Sequence, residues 1–208
     1  MKSGPVTIWL HYRPLTVSDE VINMSDIMES LGKVSARISE DAFLSNKGLS
    51  NEVGIHVFCY DPKHELTVRA YFENLKNQSG APYRLIERDL YKIFLEICEE
   101  KRILKSIPSM EERKGKEYLS EQLQKIATPE AFVARMKYEP HVHGDIMLIT
   151  GIGKVYPFMR SNKILDNIQH VFADIPVLML YPGTFNGQDL GLFGKFLDGH
   201  YYRAFNLL

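Results

Sequence analysis

The stretch DIMLITGIGKVYP, Asp145–Pro157, decides the fold. Its first six residues are almost unbroken in apolar character, and the run closes on a turn at Gly151. A strand with one wet face alternates apolar and polar side chains, whereas a run without alternation needs cover on both faces. Two more runs share this character: IHVFCYD (Ile55–Asp61) and IPVLMLYPG (Ile175–Gly183). A fourth, YRLIERD (Tyr83–Asp89), is mixed and belongs nearer an edge.

Helical patterns separate these strands. Asp61-Pro62 is a strong start, because aspartate caps free amides and proline suits the first helical turn. Val68, Tyr71, Phe72 and Leu75 then share one face. Asp89 can cap a helix whose stripe is Leu90, Ile93, Phe94 and Ile97. Ser109 with Glu112 reads as a capping box for one charged helix that buries Leu119, Leu123 and Ile126. Thr128-Pro129 opens a helix carrying Phe132, Val133 and Met136, and Ser161 can cap one carrying Ile164, Leu165, Ile168 and Phe172. Buried strands alternating with helices pair in parallel, since each crossover returns over a face of the sheet. The expected fold is a single three-layer α/β/α domain. Its mainly parallel sheet has about four or five strands, with a helical insert between the second and third.

Upstream, Asp26–Ile38 reads as a helix and LSNKGLSNEVG (residues 44–54) as a loop. Residues 1–23 fit the pattern poorly, although VTIWLHY (residues 6–12) alternates like an edge strand. They are expected to form an N-terminal extension with little share in the core. Met24 is a second plausible translation start, and residues 24–208 are the expected domain.

Composition narrows the function classes. The 208 residues carry a net charge of −1, so no global field recruits nucleic acid. No apolar run approaches the roughly 20 residues of a membrane helix, and the N-terminus lacks the pattern of a signal peptide. Cys59 and Cys98 lack metal-ligand spacing and read as reduced thiols of a cytoplasmic protein.

TGIGKVYP raises the question of a phosphate cradle. The nucleotide-hydrolase loop ends in a magnesium-binding hydroxyl, and Val155 stands in that place. The dinucleotide fingerprint fails as well, because Tyr156 replaces its third glycine. A structural corner is the favoured reading, with weak anion binding by Gly151, Gly153 and Lys154 as the alternative. In HVHGD, His141, His143 and Asp145 point the same way on an extended segment, as a metal site would need. No further ligand is identifiable, so the segment reads as a solvated loop and no metal or cofactor is expected. His56 reads as a core or edge histidine. No nucleophile elbow or Ser/His/Asp or Cys/His set suggests catalysis.

The C-terminal segment YPGTFNGQDLGLFGKFLDGHYYRAFNLL concentrates Tyr181, Phe185, Phe193, Phe196, Tyr201, Tyr202 and Phe205. Two readings stay open: completion of the core, or a partner-binding patch that includes Arg203. Lys154, Arg160, Lys163, Lys195 and Arg203 also lie late in the chain, nearly offset by Asp166, Asp174, Asp189 and Asp198.

TGIGKVYPFMRSNKILDNIQ (150–169), IPVLMLYPGTFNGQDLGLFGKF (175–196) and HYYRAFNLL (200–208) resemble hallmark segments of the BrxB family of BREX phage-defence systems. SNEVGIHVFCYDPKHELTVR (50–69) is similar to that family's first strand and helix. The resemblance covers roughly residues 24–208. His200 departs from a frequent asparagine, and Tyr156 from a frequent tryptophan. The resemblance implies a bacterial cytoplasmic protein without an established catalytic activity, and it supplies no catalytic residues. It further implies action by assembly, notably with PglZ, the alkaline-phosphatase-like component of systems that methylate host adenines. Candidate contact residues are Arg160, Phe185, Phe193, Tyr201, Tyr202 and Arg203. The alternative is a domain binding a nucleotide or other anion at the carboxyl ends of the strands. Direct nucleic-acid binding is least favoured.

Overall fold

Alternate side chains of each central strand enter two different apolar layers in the computed structural model, which describes residues 17–46, 54–187, 189–197 and 204–208. The strands are β1 (Ile55–Tyr60), β2 (Arg84–Asp89), β3 (Asp145–Thr150), β4 (Val177–Phe185), β5 (Leu190–Leu192), β6 (Phe196–Leu197) and β7 (Phe205–Asn206). The order β2-β3-β4-β1-β7 is parallel throughout. Ile55, Val57, Met147, Ile149, Val177, Met179 and Tyr181 enter the larger core. Phe58, Tyr60, Ile146, Leu148, Leu178 and Leu180 enter the smaller one. The period-2 pleat therefore shares each unbroken apolar run between two cores. The expected mainly parallel α/β domain is what forms, with β2 at the edge of the sheet.

The smaller core is covered by α1 (Val17–Ile38), α2 (Asp41–Leu44) and α3 (Glu65–Lys76). In α1, Ile27, Leu31, Val34 and Ile38 follow helical spacing and are buried. The opposite face carries α4 (Leu90–Glu100), α5 (Ile107–Lys114), α6 (Lys116–Ile126), α7 (Pro129–Met136), α8 (Ile152–Val155) and α9 (Ser161–Ile168). The first four of these are the expected insert between β2 and β3. The β1-to-β2 crossover steps outward over one face, and the next two crossovers step back over the other. Opposite steps on opposite faces give every crossover the same hand.

Local chemistry explains most helix starts. Asp61 accepts from the Lys63 amide at 3.0 Å and opens a 3₁₀ turn, Pro62–His64, ahead of α3. Asp89 accepts from the amides of Tyr91 and Lys92 at 2.9 and 3.2 Å, and Thr128 from that of Ala131 at 3.3 Å. Three readings need correction. The charged helix proposed after Ser109 is two helices, broken at Gly115, whose φ of 84° ends α5. Because the helical run begins earlier, with a 3₁₀ turn at Leu104–Ser106, Ser109 lies inside α5 and its hydroxyl donates to the Ser106 carbonyl. Arg160, not Ser161, occupies the cap position of α9, and Ser161 is its buried first residue. The helix read from Asp26 extends back to Val17. The edge-strand reading of VTIWLHY lies outside the described residues, as does the loop over 47–53.

Asp145, fully buried at the start of β3, ties the insert to the sheet. It takes a bidentate pair from Arg84 at 2.7 and 2.8 Å, the Tyr138 hydroxyl at 2.9 Å and the Val142 amide at 3.1 Å. Burial pushes its carboxyl up, but these donors outweigh burial and hold it below the usual carboxylate range.

His56 packs at a tilt between Phe43 and Phe205, with ring centroids 4.7 and 6.0 Å away. Burial, with a contribution from the Arg37 charge, pushes its pKa from 6.5 down to about 4. The unfolded chain thus binds a proton that the fold excludes, so stability is complete above pH 6.5 and falls as pH drops toward 4. Between pH 7 and 4.5 this histidine is expected to remove about 2 kcal/mol. Urea unfolding of wild type and His56→Gln at both values checks it. Equal losses in the two proteins would show that His56 carries no such linkage.

Candidate functional site

The carboxyl end of the sheet is built by β4 outrunning its neighbours. Its pairing with β3 ends at Met179 and with β1 at Pro182, but β4 continues to Phe185. The overhang pairs antiparallel with β5, which pairs with β6. Gly183 permits this, because a Cβ there would lie 2.1 Å from the Gly191 carbonyl oxygen. Phe193 and Gly194 then reverse the chain with φ of 56° and 65°, and the Lys195 amide closes the turn on the Leu192 carbonyl at 3.0 Å. A left-handed backbone at a phenylalanine costs about 1–2 kcal/mol. Two contacts hold it there. Its amide donates to the Pro182 carbonyl at 2.9 Å, and its ring edge sits on Gly153, 2.8 Å from where a Cβ would stand. Beside it Phe196 packs on Tyr156, with centroids 5.0 Å apart. Phe193 and Phe196 remain 36% and 44% exposed.

Both glycines of TGIGKVYP are explained by packing. Gly151 adopts φ 77°, and a Cβ there would fall 2.3 Å from Asp89 Oδ1, the carboxylate that caps α4. Gly153 is the seat of Phe193. At the corner where a phosphate would be cradled, the molecule places its own carboxylate beside Gly151 and its own ring on Gly153. Lys154 points outward and is exposed.

Of the candidate contacts, Phe193 stands at the tip and Phe185 is half-buried against the larger core. Arg160 is exposed and lines a cavity of about 170 Å³ with Gln124, Pro157, Phe158 and Lys163. Tyr201, Tyr202 and Arg203 lie outside the described residues. The tip also gathers Tyr156, Lys195 and Phe196, which the sequence reading did not assign to the site. The aromatic residues around glycine and lysine in LFGKF were the signal for Lys195 and Phe196; Tyr156 reaches the tip only through the fold.

HVHGD is taken apart by the fold. Asp145 turns inward to Arg84, while His141 Nδ1 lies 2.8 Å from Asp174 and its ring packs at a tilt between Tyr138 and Phe172. His143 is 3.6 Å from Asp41. These histidines and aspartates line a cleft of about 410 Å³ at the amino end of the strands, away from the hairpin. Among the described residues, no group of three or more His, Cys, Asp or Glu is arranged to hold a metal. Burial pushes the Cys59 thiol up to about 12, which leaves it unreactive as a nucleophile at neutral pH.

The profile of the family described as BREX protein BrxB matches residues 86–207. A relative from Bacillus cereus (strain H3081.97), named BREX protein BrxB, is 38% identical over 192 residues, 89% of this chain and 99% of the relative. The chain belongs to the BrxB family. A second BrxB, from Escherichia coli O9:H4 (strain HS), is 30% identical over 184 residues, covering 86% of this chain and 90% of that protein. No solved structure matches the chain. The BrxB profile thus spans the insert, the Gly151 corner and the hairpin. Among the described residues, no helix of this BrxB is long and apolar enough to cross a membrane.

Gly151→Ala is expected to cost about 1–3 kcal/mol, since it meets both the left-handed backbone and a fixed cap carboxylate. Gly153→Ala meets the end of the Phe193 ring and Pro182 Cγ at 3.2 Å but no left-handed backbone, and is expected to cost less. Thermal unfolding ranks the two; the reverse order would contradict this account of the corner.

Proposed function

We propose that this BrxB is a non-enzymatic assembly subunit of a BREX anti-phage defence complex in the cytoplasm, and that it docks PglZ through the carboxyl end of its sheet. The observation that carries the reading is the hairpin tip: two phenylalanines, each more than one-third exposed, with Phe193 held in a left-handed turn by its amide bond to Pro182 and its seat on Gly153, and Phe196 packed on Tyr156. Rigid aromatic side chains contribute large contact area at low entropic cost, which is why they dominate binding hot spots. Arg160, Phe185, Tyr201, Tyr202 and Arg203 complete the proposed contact or support it. The alternative of a nucleotide or anion at the same strand ends is less well supported, because the Asp89 carboxylate and Phe193 ring take up that corner.

Co-purification with tagged PglZ tests the proposal. Wild type is expected to be retained, and a Phe193→Ala, Phe196→Ala double variant to lose at least about tenfold in affinity while keeping its thermal midpoint within a few degrees. His143→Ala, at the far end of the sheet, is expected to bind as wild type. Wild-type protein that fails to associate with PglZ would refute the partner assignment.

A further inference from the structure

Two exposed cations, Lys154 and Lys195, flank the aromatic residues of the hairpin tip. Residues 151–165 carry Lys154, Arg160 and Lys163 without a carboxylate, and residues 190–197 carry Lys195 without one. The fold joins these two segments: Phe193 sits on Gly153, next to Lys154, and Phe196 sits on Tyr156. Lys195 lies in the turn between the two phenylalanines. Lys154, Arg160, Lys163 and Lys195 are all exposed. Among the described residues, no ion pair engages Lys154, Lys163 or Lys195.

Of the acids that nearly offset these bases in the linear sequence, Asp198 lies outside the described residues, and none of the described ones forms an ion pair with Lys154 or Lys195. Asp174 lies at the opposite end of the strands on His141. Asp89 is buried as a helix cap, and the Asp189 backbone closes the far loop of the hairpin with Asn186. Asp166, further along α9, is the nearest exposed acid on that helix. A chain of net charge −1 thus presents two exposed lysines, Lys154 and Lys195, beside the Phe193 and Phe196 rings. Unpaired surface cations of one sign raise the association rate with an oppositely charged face and repel a like one.

From this juxtaposition we infer that the partner surface received by the tip is acidic around an apolar contact, so that aspartates and glutamates of the partner face Lys154 and Lys195 while an apolar side chain meets Phe193 and Phe196. The inference rests on the docking role proposed above and adds the chemistry of the opposite face. The single strand of a nucleic acid is the other polyanion with a stacking surface, but its sequence-independent binding relies on a groove that follows the backbone. Here Lys154 and Lys195 flank a turn that carries exposed Phe193 and leads into exposed Phe196.

The test measures affinity for purified PglZ at 50 and 300 mM NaCl, with the intact chain as wild type, Lys154→Glu/Lys195→Glu, Lys154→Arg/Lys195→Arg, and Phe193→Ala/Phe196→Ala. A 30-nucleotide single-stranded DNA serves as the second probe. Wild type is expected to weaken about tenfold or more with added salt, charge reversal to weaken binding by at least that much at 50 mM, and the arginine variant to bind as wild type. If the aromatic variant loses binding while charge reversal changes nothing, docking at the tip stands and the acidic counterface is wrong. If charge reversal leaves PglZ binding intact but abolishes DNA binding, the lysine pair serves a nucleic acid and the inference is overturned. If wild type binds no PglZ at all, the docking reading and this inference fall together.

Discussion

Burial of both faces of the central strands is the constraint from which the rest of this structure follows. Leu178, Leu180, Leu148 and Ile146 point into one core, while Val177, Met179, Met147 and Ile149 point into the other. No strand of the inner sheet can tolerate a wet face, so helices must cover both sides and the connections must cross over. Asymmetry then enters through length. The α1–α3 layer is short, whereas the insert between β2 and β3 builds most of the opposite layer. Asp145 anchors that insert with four hydrogen bonds from Arg84, Tyr138 and Val142. A buried carboxylate is tolerable only with such compensation.

The same constraint produces the candidate functional end. Parallel strands all finish on one side, and there the β2 and β3 corners must pass within contact distance, Gly151 against the Asp89 cap. The space left at the switch in strand order, a frequent ligand crevice in α/β proteins, is closed by the chain itself through the β4–β5–β6 overhang. Closing it places a phenylalanine in a left-handed turn and leaves its ring both seated and exposed. A backbone outlier at a projecting aromatic residue points to function better than exposure does alone. The opposite end differs in kind, with two histidine–aspartate pairs lining an open cleft.

Legibility in the sequence followed the range of the interactions involved. The caps at Asp61, Asp89 and Thr128 could be read because the side chain and the amide it binds are two or three residues apart. The capping box at Ser109 misled because a 3₁₀ turn upstream had already begun the helix, and Gly115 then broke it. The candidate site was half legible. Phe193 stood out by aromatic density, but Tyr156 and Phe196 are forty residues apart and meet only across the strand ends. The apparent metal register of His141, His143 and Asp145 dissolved once Arg84, brought alongside by strand pairing, claimed the carboxylate.

Sequence by itself determined the layered, parallel architecture, the central strands and the family, because unbroken apolar runs and near-neighbour caps are properties of the chain read in order. Tertiary structure alone decided which charges stand together. Lys154 and Lys195, far apart in sequence, are brought to one end of the sheet by the seat of Phe193 on Gly153, while Asp174 lies at the other end on His141. A Coulomb field depends on distance in space and is blind to separation in sequence.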